Sequence, residues 1–160
     1  MEKNFNKILL AILTFFILSI FSAYFIEYVL GHKPCKLCLY QRYPYFVSVF
    51  LILNILVLKK YVKLTLLTLA LVSFFGSAIA FYHFGIEQGF FNEALICEAK
   101  NFDNNLSKEE LLKNLKENTI SCKTVTFRVF GLSLASINTI LSFILFGIFT
   151  KLYTNYERNK

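Results

Sequence analysis

The sequence predicts an all-α integral membrane protein, a four-helix bundle forming a single domain over residues 1–160, and three observations lead there. The composition is 56% hydrophobic with a mean hydropathy of +0.56, above the ~45–50% apolar share of soluble domains. The apolar residues gather into four windows, about 8–30, 39–58, 64–86 and 130–150. Each reaches the ~20 residues that cross a ~30 Å hydrocarbon core. Finally, the 17 basic and 10 acidic side chains avoid those windows almost completely. A basic excess in a soluble chain would raise nucleic-acid binding. Here there is no glycine-rich phosphate loop and no zinc-finger spacing, so nucleic acid is not an expected partner.

The first window follows Lys3 and Lys7 and resembles a signal peptide only superficially. Its apolar stretch exceeds the ~7–15 residues of a signal core and lacks a small-residue cleavage site, so it is expected to be retained. Pro44 interrupts the second window. Proline suits a first helical turn and disrupts an interior one, so continuous helix is expected from about Tyr43. The third and fourth windows are regular.

Orientation follows from the short connections. Lys3 and Lys7, then Lys59, Lys60 and Lys63, then Lys151, Arg158 and Lys160 mark three segments as cytoplasmic under the positive-inside rule. Both termini then lie inside, and the connections 31–38 and 87–128 lie outside. Lys33, Lys36 and Arg42 oppose this assignment but are outvoted. The 87–128 connection carries six basic and seven acidic residues and is nearly neutral. Within it, Ser107-Lys-Glu-Glu110 precedes Leu111, Leu112 and Leu115, the pattern of a capped, short amphipathic helix. That helix would lie on the membrane surface with Phe90 and Phe91 as further anchors, or form an ordinary solvated loop helix.

All four cysteines, Cys35, Cys38, Cys97 and Cys122, fall in or beside the two outer connections, where disulfides are permitted. A bridge across Cys35-Lys-Leu-Cys38 closes a tiny ring and constrains the unfolded chain little, so redox exchange explains this pair better than stapling. Adjacent thiols let one sulfur attack while the other resolves the mixed disulfide. Cys97 and Cys122, with 24 residues between them, would by themselves read as a loop staple. A four-thiol zinc site lacks the second closely spaced pair that such sites use, and no metal is expected. Two pairs on one membrane face instead predict an electron relay.

Such a relay needs a terminal acceptor, and one dissolved in the bilayer would meet Cys38 at the membrane surface. Arg42 lies four residues beyond Cys38 and shares its face if the stretch is helical. Its charge would stabilise a Cys38 thiolate, and its donors would hold the carbonyl of a quinone-type acceptor. The competing reading is an arginine that snorkels to anchor a helix end. His83 and Glu87 stand at the outer end of the third window and would exchange protons with a reduced acceptor, or serve as ordinary boundary residues. Glu27 receives no role.

Pro34-Cys-Lys-Leu-Cys-Leu-Tyr-Gln-Arg-Tyr-Pro-Tyr45, Tyr82-His-Phe-Gly-Ile-Glu87, and Ser121-Cys-Lys-Thr-Val-Thr-Phe127 with Gly131-Leu-Ser resemble the disulfide bond formation protein B (DsbB) family. The similarity extends over nearly the whole chain. It implies a bacterial inner-membrane enzyme that reoxidises a DsbA-type thioredoxin-fold partner and passes two electrons to ubiquinone or menaquinone. By this resemblance, Cys97 forms the mixed disulfide with the partner and Cys122 resolves it. Cys122 then exchanges with the Cys35–Cys38 bridge, and Cys38 is the thiolate that meets the quinone beside Arg42. Gln41, where an acidic residue can stand in the family, and the Pro44 segment are departures. Vitamin-K-epoxide-reductase-like proteins join similar elements, but their active C-x-x-C usually comes late in the bundle. A non-enzymatic subunit with inert outer disulfides is the remaining alternative.

Overall fold

The computed structural model describes residues 2–92, 121–123, 128–129 and 131–158. Helices α1 (Glu2–Tyr28), α2 (Lys36–Tyr40), α3 (Arg42–Leu58), α4 (Val62–Glu87) and α5 (Leu134–Arg158) account for most of them. A two-residue hairpin, β1 (Arg128–Val129) and β2 (Leu132–Ser133), pairs antiparallel just before α5. Four helical segments are long and apolar enough to cross a membrane: Asn4–Tyr28, Lys36–Leu58, Val62–Glu87 and Leu134–Arg158. The protein is therefore an all-α four-helix membrane bundle. The expected amphipathic helix near 107–115, and Cys97, lie outside the described residues.

Local chemistry sets the helix ends. Gly31, at φ +72°, lets the chain turn after α1, and Pro34 prevents the helix from resuming at once. Lys59 (φ +50°) and Tyr61 (φ +56°) adopt left-handed conformations that reverse the chain between α3 and α4. Gly89 (φ +79°) ends α4, and the Phe90 amide returns to the Gly85 carbonyl at 2.8 Å. Phe91 then folds back against Gly85, its ring 5.6 Å from that of Tyr82 and 6.3 Å from that of Phe81, while Phe90 and Phe91 both stay exposed. At the start of α5 the Ser133 hydroxyl accepts the Ser136 amide at 3.1 Å, which makes Ser133 the N-cap and accounts for the Gly131-Leu-Ser sequence. Pro44 falls in the first turn of α3, where its missing N–H leaves no bond unmade.

The exterior is the apolar surface. Phe21, Phe50, Val57 and Phe75 each expose more than 60% of their area, and many other large apolar side chains share that outer surface. A water-soluble monomer rarely leaves a patch of more than a few hundred Å² of this kind uncovered, and lipid is the solvent that matches it. Inside, Leu9, Phe16, Ile52, Leu66, Leu69 and Phe149 form a dry core shared by α1, α3, α4 and α5. Toward the other end the interior turns small and polar, with Ser48, Ser73, Ser77, Thr139 and Ser142 buried. Small side chains let helix backbones approach where lipid supplies no hydrophobic drive for association. Gly76 marks a close approach of α3 to α4, since a Cβ there would stand 3.3 Å from Pro44 Cβ. Gly76→Val is expected to lower stability by about 1–3 kcal/mol through overpacking, read as a fall in thermal midpoint in detergent. An unchanged midpoint would show that the α3–α4 contact is loose.

Candidate active site

The break between α2 and α3 places the chemistry. Cys35 precedes α2 in extended conformation (φ −71°, ψ 166°) and caps it, its sulfur accepting the Cys38 amide at 3.3 Å. One helical turn therefore brings Cys38 Sγ to 2.8 Å from Cys35 Sγ. Both are free thiols, Cys35 buried and Cys38 partly exposed. Cys35, Cys38 and His83 lie close enough together to be considered as metal ligands. A tetrahedral zinc ion with ~2.3 Å bonds would hold two sulfurs about 3.8 Å apart, however, so this pair is set for disulfide closure rather than chelation.

Helix α4 brings His83 to the same point. His83 is 2% exposed, with Nε2 3.5 Å from Cys35 Sγ and Nδ1 3.3 Å from the Gln41 amide nitrogen. Glu87, one turn later, has a carboxylate oxygen 3.9 Å from His83 Nε2 and also accepts the Ser133 hydroxyl, tying the end of α4 to the start of α5. Cys122 is held in a disulfide and is 1% exposed. It packs in one buried cluster with Cys35, Leu37 and Ile86, so the C-x-x-C segment and the Cys122 segment come together in the folded protein.

The hydrogen bond from the Cys38 thiol lowers the Cys35 pKa; burial opposes it, and the His83 contact lowers it further, leaving a value of about 5. In the reduced protein Cys35 should therefore be thiolate above about pH 5 and protonated below it. Alkylation of Cys35, followed by peptide mapping, should lose its reactivity as pH falls through that value. A midpoint in the ordinary thiol range would show that Cys38 and His83 do not bear on this sulfur.

Arg42 takes a different partner from the sulfur that its spacing indicated. Its Nη1 donates to Glu27 Oε2 at 2.6 Å, and its guanidinium lies 4.8 Å from the Tyr24 ring centre. Arg42 and Cys38 nevertheless line one cavity of about 440 Å³ between α1, α3 and α5, together with Gln41, Tyr45 and Asn138. Glu27, Gln41, Tyr45 and Asn138 thus join the predicted residues. The available signal was polarity, because Glu27 and Asn138 interrupt otherwise apolar windows, where such side chains are costly.

The arrangement supports thiol–disulfide exchange on one side of Cys35 and electron transfer to a cavity ligand on the other side of Cys38. An uncharacterized protein of Rickettsia prowazekii is 27% identical over 161 residues, covering 99% of this chain and 93% of the relative. The family model described as disulfide bond formation protein DsbB matches residues 5–152. With that match over nearly all of a four-helix membrane bundle, the chain belongs to the DsbB family of disulfide-forming membrane oxidoreductases.

Proposed function

We propose that this protein reoxidises a DsbA-type thioredoxin-fold dithiol and passes the electrons to a membrane quinone, generating disulfides de novo. In this reading it resides in a bacterial inner membrane with both termini cytoplasmic and the cysteine connections periplasmic. The carrying observation is the position of the C-x-x-C pair: Cys35 packs in one buried cluster with the disulfide-bonded Cys122, and Cys38 opens onto the 440 Å³ cavity.

Each exchange conserves electrons. The partner's thiolate attacks Cys97, Cys122 is released and attacks Cys35, and Cys38 leaves as thiolate. The partner's second thiolate then attacks the mixed disulfide, leaving the partner oxidised and Cys97 as thiolate; Cys97 attacks Cys122, which re-forms the outer bond, releases Cys35 and leaves Cys35 and Cys38 as the reduced pair. Closing that pair again requires two electrons and two protons to leave. A quinone held in the cavity by Arg42 and Asn138 would supply the acceptor for those two electrons and two protons.

The cavity suits such an occupant. Its volume lies in the ~300–1,000 Å³ range of small-molecule sites. Phe15, Leu18, Ile26 and Leu141 supply apolar walls, while Arg42 and Asn138 supply donors for carbonyl oxygens. Gln41 and His83 connect the cavity to Cys35, and Glu87 sits beside His83 as a proton-accepting group.

The test is anaerobic single turnover. Purified protein in lipid, given a reduced thioredoxin-fold partner and either ubiquinone or menaquinone, should form one quinol for each partner oxidised. Neither quinol appearing while the partner stays reduced would sink the proposal and leave the cysteines as structural bridges.

A further inference from the structure

We propose that Tyr45, Asn138 and Gln41 form a one-way hydrogen-bond chain that holds His83 as its Nε2–H tautomer, aimed at the Cys35 sulfur. These three are positioning residues, since they act on the sulfur through His83. The direction of the chain follows from each link. A phenol hydroxyl donates to Asn138 Oδ1 at 2.6 Å, and Asn138 Nδ2 donates to Gln41 Oε1 at 3.0 Å. Gln41 Nε2 then faces His83 Nδ1 at 3.3 Å. An amide NH₂ donates, so Nδ1 must accept, and the ring's single proton sits on Nε2.

The opposite side of the ring agrees. Nε2 faces Cys35 Sγ at 3.5 Å and a Glu87 oxygen at 3.9 Å, both acceptors when the site is reduced, and the Cys122 backbone carbonyl is a further acceptor beside the ring. A lone pair on Nε2 would confront both; an N–H satisfies one and is attracted to the other. Gln41 and His83 are buried, and no buried side-chain nitrogen or oxygen among the described residues lacks a partner. Reversing Gln41 alone would set donor against donor, and reversing Asn138 alone acceptor against acceptor, so the two amides share one direction.

The consequence rests on the function proposed above and concerns the division of labour within the C-x-x-C. Re-forming the bond needs one sulfur to arrive as a thiolate and the other to be the one from which electrons pass to the acceptor. His83, fixed as a donor, prepares Cys35 for the first task. Cys38, which lines the cavity, is left for the second.

The experiment is nitrogen NMR of full-length reduced protein labelled at histidine, in lipid bilayers, with His32→Gln used to assign the two rings. His83 is expected to show an unprotonated Nδ1 and a protonated Nε2. Asn138→Leu frees Gln41 to present either end of its amide, so an Nδ1–H population should appear. Cys35 alkylation at fixed pH should slow about tenfold, the loss of one hydrogen bond to a charged sulfur. Gln41→Leu should do the same. A wild-type ring protonated at Nδ1, or variants whose tautomer and alkylation rate both match wild type, would overturn the proposal. The wild-type spectrum decides even if a variant fails to fold. Because the readout involves no quinone, a normal tautomer with no quinol formation would refute the function and leave the positioning chain intact.

Discussion

Cys38→Ser is expected to abolish quinol formation and to accumulate a disulfide between Cys35 and Cys122. In the wild type the Cys35 sulfur has Cys38 Sγ at 2.8 Å as its closing partner. Without that partner, the neighbouring sulfur is Cys122, packed in the same buried cluster and already in a disulfide. The Cys35 thiolate can attack it, forming one S–S bond and releasing the sulfur formerly joined to Cys122 as thiolate, with no net change in electrons. His83, 3.5 Å from the Cys35 sulfur, still favours the attacking thiolate when the Cys38 thiol is gone. Non-reducing peptide mapping would detect the cross-link, and single-turnover assay the missing quinol. Full quinol formation, or a Cys35 that stays unlinked beside an intact Cys122 disulfide, would contradict this order of transfer.

Arg42→Met is expected to lower kcat/KM for quinone by roughly 10–100-fold, the worth of a hydrogen bond from a charged donor at ~1.5–3 kcal/mol. Its companion variant, Glu27→Ala, tests a different quantity. The two side chains are 14% and 20% exposed, so their ion pair is largely out of water. Removing one partner of a fully desolvated pair costs about 3–5 kcal/mol, and partial exposure brings the expected loss to about 1–3 kcal/mol. The Tyr24 ring retains part of the guanidinium's attraction. Glu27→Ala should therefore lower the thermal midpoint in detergent and raise the KM for quinone, since Arg42 is no longer held at the cavity wall. If it changes neither, the Arg42–Glu27 contact does not position the guanidinium. Glu27→Gln, which still accepts a hydrogen bond, should fall between wild type and Glu27→Ala.

The legibility of this chain was uneven. Composition and the apolar windows sufficed for the four-helix membrane bundle because lipid imposes one simple rule, that each crossing must be long, apolar and internally hydrogen-bonded. The extended similarity around Cys35-Lys-Leu-Cys38, Tyr82-His83 and Ser121-Cys122 was equally plain as a family likeness. The Arg42 pairing was not. Four-residue spacing pointed to Cys38, but the helix breaks at Gln41 and the guanidinium reaches across to α1, where Glu27 waits. A contact between residues 15 apart on two helices depends on how those helices pack, and spacing along one helix carries no record of that.

The sequence by itself determined the solvent of this protein, its four crossings, the identity of its sulfur chemistry and its family. Those properties reside in hydropathy, in residue type and in short local motifs. Tertiary structure alone decided which groups surround each sulfur: Cys122 beside Cys35, His83 against the same sulfur, and the amides of Gln41 and Asn138 linked through 97 positions of separation. The physical reason is that hydrogen bonds act over about 3 Å and demand a donor facing an acceptor. Such alignment is a property of packed helices, and it exists only once the bundle has closed.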